Sequence, residues 1–570
     1  MSLPAGPVET TAMTPMIEHD EQDSSSDQIS SLEAELDEKL DPAMHDSQDP
    51  DIISTTILVQ GVDNTNTLSI SSGDDDTETT PLVVQQVDYD EYEDEEEDLD
   101  VPQPIALPTQ DLSRWQRVKH TLRPYIPSWK SLLPTYVITS RISSAGDRPT
   151  AYLDALRGYA ALVVYISHLW YIFMKDTWRR YPFVSTLFSG AGSVSLFYII
   201  SGYALGHGLL LEMHRMDHAR MLHRLASLSF RRYLRLYGSC VAAFIVAFFL
   251  VRLRIYNGID IQIHQDSILA QLRHWFTDVF RFCNPFAPGI NDIVFNGSIG
   301  SDYLPQLWTI PVEFRGSIFL FGFCTAILRL TTRTRIIVMW IVMIVSYCWQ
   351  VVYIAEFTAG LFIAQLSICR NPQRLVLPPT QSLLLPTTMT TTTESSSEKP
   401  ARKKQSWPAK ILHFFLFIIG FILLGEVDFG RADLRLWGPF PWRYLNKVIP
   451  FWWIDKAEYL FWLGIGGFML VYALEFGSGL QKPLKWTVSR YLGDISFGLY
   501  AMHLPFGRGI KELYLDPWRE SHLGDSYWAH AFVTIVITWI VITAADYFTR
   551  IDRFVVRSGK RLQGRMFTKW

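Results

Sequence analysis

Residues 151–168 read AYLDALRGYAALVVYISH, an apolar run with the length and character of a membrane-spanning helix. The run nevertheless contains Arg157 and His168, which are eleven residues apart. Eleven residues complete roughly three helical turns plus 20°, so both side chains point the same way, about 16 Å apart along the axis. Asp154 and Tyr165 repeat this spacing on nearly the same stripe. Charge inside a membrane helix is costly and usually faces a cavity or a partner, so the stripe predicts a functional site.

Nine further apolar stretches follow the first one along the chain. The sequence therefore predicts an all-α fold, a polytopic transmembrane helix bundle of about ten helices. We place the helices near residues 152–172, 191–211, 237–253, 311–329, 335–354, 356–369, 409–425, 457–475, 495–511 and 529–549.

Charge divides the 570-residue chain into an acidic tail and a basic body. The first 100 residues contain 29 of the 57 acidic residues and a single base, Lys39, which leaves 50 bases and 28 acids for the rest. Residues 1–110 are too polar to bury a core, so we expect a disordered acidic cytosolic tail. Residues 111–150 mix bases with aromatics, which is typical of a juxtamembrane segment at anionic lipid, although an ordinary linker is an alternative.

The rest of the chain is assigned to one membrane domain, 151–550, with a basic C-terminal tail at 551–570. A Pro/Thr/Ser-rich and basic stretch predicts a flexible loop at 370–408. The acidic N-terminus does not have the pattern of a cleavable signal peptide. The five cysteines show no paired spacing, so we expect neither a disulfide framework nor a metal site.

Lysine and arginine set the predicted orientation. If the N-terminus is inside, the inner segments contain about 30 Lys and Arg residues and the outer segments about 12. This asymmetry predicts a multi-pass protein of the plasma membrane or an endomembrane, with both termini in the cytosol. The sequon Asn296-Gly297-Ser298 then lies in the outer 254–310 loop, which makes Asn296 a candidate glycosylation site.

Four further motifs follow the first helix in order. They read FYIISGY at 197–203, RRYLRLY at 231–237, LWTIPVEF at 307–314 and LGDISFGLYAMHLP at 492–505. Together with the Arg157–His168 spacing, this ordered set resembles the acyltransferase 3 family of integral-membrane acyltransferases, over about residues 148–552. The proline before valine and glutamate is typical of a fungal member. Ala155 departs from the family, in which glycine is frequent at that position.

The resemblance implies a membrane O-acyltransferase that moves an acyl group, by default acetyl, from cytosolic acyl-CoA to an acceptor hydroxyl. The acceptor is open among carbohydrates, lipids and small molecules. Acyl-CoA is a substrate here, and no permanently bound cofactor is expected. The predicted partners are membrane lipid, acyl-CoA and the hydroxyl acceptor, with no nucleic acid.

Residue roles follow from this chemistry. A neutral His168 is suited to accept a proton from an alcohol, and Arg157 to pair with CoA phosphates. We predict that Glu313 is catalytic, orienting His168 or neutralising Arg157. Its alternative is a carboxylate that stabilises a helix N-terminus. The predicted donor-binding set is Arg231, Arg232 and Arg235, whose alternative is anchoring at the inner membrane surface. The predicted substrate-binding set is Tyr165, Ser201 and His503.

Purely structural interpretations of these residues are alternatives to the functional roles. Arg157 can snorkel to headgroups, and His168 or His503 can be a satisfied core histidine. A second function class also fits the buried charges, namely a transporter or flippase of an acyl-bearing lipid or small molecule. A scaffold that recruits basic partners through its acidic tail does not explain Arg157 and His168.

Overall fold

The computed structural model describes residues 133–137, 150–169, 181–258, 262–286, 300–371, 406–426, 440–453 and 458–567. The predicted acidic tail, most of the juxtamembrane segment, nearly all of the 370–408 loop and the Asn296 sequon lie outside the described residues. The fold class is confirmed for the described part of the chain, which is helical and contains no strand.

Fourteen α-helices, besides short 3₁₀ and π-helical turns, organise the described residues. They are α1 (Ala151–Leu169), α2 (Gly190–His214), α3 (His218–Arg252), α4 (Ile268–Phe282), α5 (Thr309–Ala326), α6 (Thr332–Cys348), α7 (Val352–Arg370), α8 (Trp407–Leu423), α9 (Trp442–Leu445), α10 (Leu460–Phe476), α11 (Thr487–Asp494), α12 (Ser496–Met502), α13 (Asp516–His522) and α14 (Tyr527–Met566).

Five helices among the described residues are long and apolar enough to cross a membrane, by length and composition. They are α2, α3, α5 with the turn before it, α7 and α14. Two more apolar helices, α8 and α10, have 17 residues each. At 1.5 Å per residue these two reach about 26 Å, slightly less than the roughly 30 Å of a hydrocarbon core. The prediction of ten crossings therefore stays a prediction.

Two predicted boundaries were wrong because charged sequence was taken for loop. α3 begins at His218, about twenty residues before the predicted start, where the Asp217 side chain accepts a hydrogen bond from the Arg220 amide at 2.9 Å. The last helix, predicted to end at 549, continues to Met566 through the basic residues of the C-terminal segment. Arginine and lysine are good helix formers, so a helix can run on past the apolar part of a span.

The long 254–310 segment contains a helix that the sequence analysis missed. α4 is amphipathic and is capped by the Ser267 hydroxyl, which accepts from the Ala270 amide at 3.1 Å. The predicted helix at 495–511 is also interrupted. Its first part is α12, and the chain then continues as a π-helical turn over His503–Arg508.

Close backbone packing joins α2 to α7. A Cβ atom added at Gly202 would overlap the carbonyl oxygen of Phe357, and one added at Gly360 would overlap that of Ile199. Small residues allow membrane helices to approach until their backbones touch. The SGY part of the FYIISGY motif therefore positions α2 against α7. The same packing fixes the positions of Ser201 and Tyr203, which flank Gly202.

Candidate active site

Two histidines that the sequence places far apart meet in the structure. His168 lies one residue before the end of α1, and His503 begins the π-helical turn after α12. Their ring centroids are 5.2 Å apart, with the planes inclined at 48°. The His168 side chain is exposed, whereas His503 is fully buried. One histidine is therefore accessible at the surface, while the other packs behind it in the interior.

Backbone carbonyls hold both imidazoles by the same ring nitrogen. His168 Nδ1 lies 2.9 Å from the Val164 carbonyl oxygen, and His503 Nδ1 lies 2.8 Å from that of Tyr500. A neutral imidazole that donates from Nδ1 keeps a lone pair on Nε2. The buried His503 Nε2 has no hydrogen-bond partner among the described residues. Each Nε2 is therefore available as a proton acceptor.

Pro505 explains part of the local geometry around His503. Proline has no amide hydrogen, so it cannot bond the carbonyl four residues earlier, which belongs to Ala501. That carbonyl instead accepts a hydrogen bond from Gln306 Nε2 at 2.9 Å. π-Helical turns of this kind occur frequently at functional sites. The proline therefore links the His503 turn to the segment that precedes α5.

Arg157 lies at the other end of the predicted stripe. Its Nε donates to the Ser496 hydroxyl at 3.1 Å, and its Nη2 lies 3.6 Å from an Asp154 carboxylate oxygen. Ser496 opens α12, and His503 directly follows that helix. α1 and α12 therefore meet at both ends of the stripe, through Arg157 at one end and His168 at the other. Because α1 is continuous, the two residues are about 16 Å apart along it.

Glu313 belongs to a separate, partly buried network. Its Oε1 accepts from the Ser201 hydroxyl at 2.9 Å and from Arg232 Nη2 at 2.8 Å. Arg232 Nε also donates to the Ser317 hydroxyl at 2.8 Å. The network joins α2, α3 and α5. The predicted partners of Glu313, His168 and Arg157, are not among its bonded neighbours in the described chain.

The remaining predicted residues fall in three kinds of place. Arg232 is buried and therefore does not share a surface with Arg235, which is exposed. Arg231 is half-buried. Tyr165 is fully buried, and its hydroxyl lies 2.5 Å from that of Thr538 on α14. This places Tyr165 in the packing between two helices. Asn296 lies outside the described residues.

Tyr500 was not predicted as a site residue, although it lies inside the LGDISFGLYAMHLP motif. Its hydroxyl lies 2.7 Å from the Thr309 hydroxyl and donates to the Gln306 carbonyl. Its ring centroid is 6.2 Å from that of His503. The partners are about 190 positions away in the chain, so no local spacing could have revealed them.

Membrane-length helices, a histidine pair and buried ion-paired charges define a helical membrane protein with an enzyme-like site. The model of the acyltransferase domain of the acyltransferase 3 family matches residues 150–547, so the chain belongs to that family and is an acyltransferase. This confirms the family predicted from the motifs.

Two fungal relatives agree with this assignment. The chain is 28% identical over 403 residues to "O-acetyltransferase PaAT-1" of Phomopsis amygdali, a match that covers 62% of this chain and 72% of the relative. It is 22% identical over 422 residues to "Acyltransferase R4" of a Phoma species, covering 63% of this chain and 84% of the relative. No solved structure matches the chain.

Proposed function

We propose that the protein is an integral-membrane O-acyltransferase. It moves an acyl group, expected to be acetyl, from cytosolic acyl-CoA to a hydroxyl of a carbohydrate, lipid or small molecule. The observation that carries this proposal is the His168–His503 pair, with ring centroids 5.2 Å apart inside a matched acyltransferase domain. The O-acetyltransferase relative supports oxygen as the acceptor atom, and both fungal relatives favour a fungal origin.

His168 acts as the general base in this mechanism. Its Nε2 removes the proton of the acceptor hydroxyl while that oxygen attacks the thioester carbonyl carbon. The C–S bond then breaks and releases the CoA thiolate. The His168 imidazolium returns its proton to this thiolate, which leaves as the thiol. His503 is a positioning residue that packs against His168 and keeps it from rotating.

Arg157 is the proposed donor-binding group. Its guanidinium is half-exposed, with one bond to Ser496 and a long contact to Asp154, so most of its donors remain available for phosphate. Arg231 and Arg235 are proposed to contact the nucleotide part of the donor. Arg232 is proposed to act indirectly, by holding Glu313 and Ser201 at the acceptor side.

The proposed topology has ten crossings with both termini in the cytosol. In this orientation Arg157 lies near the cytosolic face, where CoA is found, and His168 lies towards the opposite face. The test is the sensitivity of the protein's gel mobility to N-glycosidase, with and without Asn296→Gln. Cytosolic exposure of residues 254–305 in protease protection would overturn both the orientation and the donor path.

The decisive test of activity is comparative mass spectrometry of metabolites and lipids from a deletion strain and a complemented strain. Loss of an O-acylated compound, and its return with the wild-type chain, is the expected result. A transporter or flippase predicts that the acylated compound is still made but collects on one side of the membrane. Transfer from acetyl-CoA by purified protein separates the two functions.

A further inference from the structure

The C-terminal part of α14 presents a row of arginines, the arginine face, formed by Arg553, Arg557, Arg561 and Arg565. They recur every four residues in one continuous helix, so they follow one side of it over about 18 Å. The last three are exposed and Arg553 is half-buried. None of the four is ion-paired within the described part of the chain. Like charges four residues apart repel each other, so an anionic partner would stabilise this segment.

The arginine face points away from the neighbouring helix α3. Asp552 accepts a hydrogen bond from the Ser239 hydroxyl, and Gln563 donates to the Ser227 hydroxyl at 2.8 Å, so these two residues of α14 face α3. At 100° per residue, Gln563 lies about 20° from Asp552 around the axis, whereas the four arginines lie about 100–220° from it. The exposed Phe554 lies in the same sector as the arginines. The side of α14 opposite α3 is therefore both basic and accessible.

Neither the membrane surface nor the end of the helix accounts for the whole row. Arg550 is the first base after the apolar part of α14, and Arg561 and Arg565 lie about 16 and 22 Å beyond it along the helix. The headgroup layer of a bilayer is only about 5–8 Å thick, so lipid phosphates reach Arg553 but not the last two arginines. The helix dipole favours cations only in the last turn, which contains Arg565.

The chain itself contains a segment of the opposite charge at a suitable distance. Residues 93–98 read EDEEED, six consecutive acids, and lie outside the described residues. The chain re-enters the described part beside the arginine face, because the Leu133 carbonyl accepts a hydrogen bond from Arg550. Between them lie the 34 residues 99–132. A random coil of that length spans about 29–35 Å, enough to cover the roughly 22 Å from Arg550 to Arg565.

We propose that residues 93–98 dock on the arginine face of the same molecule. Their carboxylates accept hydrogen bonds from the guanidinium groups of Arg553, Arg557, Arg561 and Arg565. Exposed ion pairs are individually weak, but a tether of matching length gives the acidic run an effective concentration in the millimolar range. The contact is therefore reversible and sensitive to salt, and while it is formed it keeps other polyanions away from this face. The inference does not depend on the proposed acyl transfer.

The test is photocrosslinking of the full chain in nanodiscs of zwitterionic lipid. A photoreactive benzoylphenylalanine replaces Phe554, whose ring is 63% exposed, and the crosslinked peptides are identified by mass spectrometry. The matched control probe replaces Trp528, which is 80% exposed at the opposite end of the same helix. The melting temperature of each purified protein reports folding separately.

We expect the probe at Phe554, and not the probe at Trp528, to crosslink to the peptide that contains residues 93–98. The yield should fall between 0.1 and 1 M salt, as the Debye length shrinks from about 10 to about 3 Å. Replacement of all four arginines by Gln should lower it roughly fourfold or more, the combined size of four weak exposed ion pairs. Replacement of the six acids by their amides should do the same, whereas neutralisation of Asp74, Asp75 and Asp76 should have no effect.

Several outcomes overturn the proposal. They are an unchanged yield in either neutralised variant, equal crosslinking from Trp528, and a probe at Phe554 that crosslinks only to lipid or to other segments. A crosslink to residues 93–98 of a second copy would assign the face to self-association instead. If the variant without the four arginines does not fold, the variant without the six acids decides, because it leaves α14 unchanged.

Discussion

Replacement of His168 separates catalysis from stability, because its hydrogen bonds within the described part of the chain are local. The Nδ1 contact of 2.9 Å joins the ring to a carbonyl of its own helix, four residues earlier. That carbonyl lies within α1 and keeps a helical partner when the ring is removed. We therefore expect His168→Ala to cost about 1 kcal/mol of folding stability or less. Loss of a general base, by contrast, typically slows a reaction by about 10²–10⁴.

In energetic terms the activation barrier rises by about 3–5 kcal/mol while the folding free energy barely changes. The assay is transfer of radiolabelled acetyl from acetyl-CoA by purified protein in lipid nanodiscs, with the melting temperature measured on the same sample. His168→Gln is the matched variant, because glutamine keeps a hydrogen-bonding amide but cannot accept the proton. Wild-type turnover by His168→Gln would refute the general-base assignment and favour a core histidine.

Four other substitutions test the surrounding structure. Arg157→Lys keeps the charge but loses the planar donor set and the Ser496 bond, so the KM for acetyl-CoA should rise more than kcat falls. Unchanged KM and kcat would indicate instead that Arg157 snorkels to the headgroups. Glu313→Gln should destabilise the fold by about 3–5 kcal/mol in thermal melts, because it strands the buried Arg232 charge. Arg232→Met should cost less, because the Glu313 side chain is 19% exposed and keeps its Ser201 bond, and the double variant should cost less than the sum. Gly360→Ala should lower the melting temperature because its Cβ meets the Ile199 carbonyl, at a cost of about 1–3 kcal/mol or more. Gly322→Ala, with nothing within 4 Å of the added carbon, is its control and should be neutral or slightly stabilising.

Helical periodicity was sufficient to place Arg157 and His168 on one side of α1, because one continuous helix sets the relation of the two residues. The meeting of His168 with His503 was beyond that reasoning, since it depends on how α1 packs against a helix more than 300 residues later. Gly158 shows the physical cause. A Cβ there would overlap the backbone at Leu492 of α11, so only glycine lets α1 approach the segment that leads into α12 this closely.

Glu313 shows the opposite case, in which a correct position was given the wrong neighbours. The sequence places this carboxylate near the start of α5, and its predicted partners were His168 and Arg157 of α1. The structure pairs it with Arg232, because α3 begins at His218 and carries that arginine into the bundle. Because α3 was predicted to start at 237, Arg232 was placed before the helix, among the bases at the membrane surface.

The hydrogen-bond partners of the histidine pair bear on the fate of the proton in the proposed mechanism. Among the described residues, neither His168 nor His503 bonds a carboxylate, and both Nδ1 atoms bond backbone carbonyls. A carbonyl dipole fixes the tautomer but stabilises an imidazolium less than a full negative charge does. In the proposed mechanism the imidazolium of His168 is therefore short-lived and returns its proton at once. In the proposed reaction the leaving thiolate is the group that receives it, so proton transfer and C–S cleavage are coupled at His168 Nε2. A solvent deuterium isotope effect on kcat that disappears in His168→Gln would be the signature of this coupling.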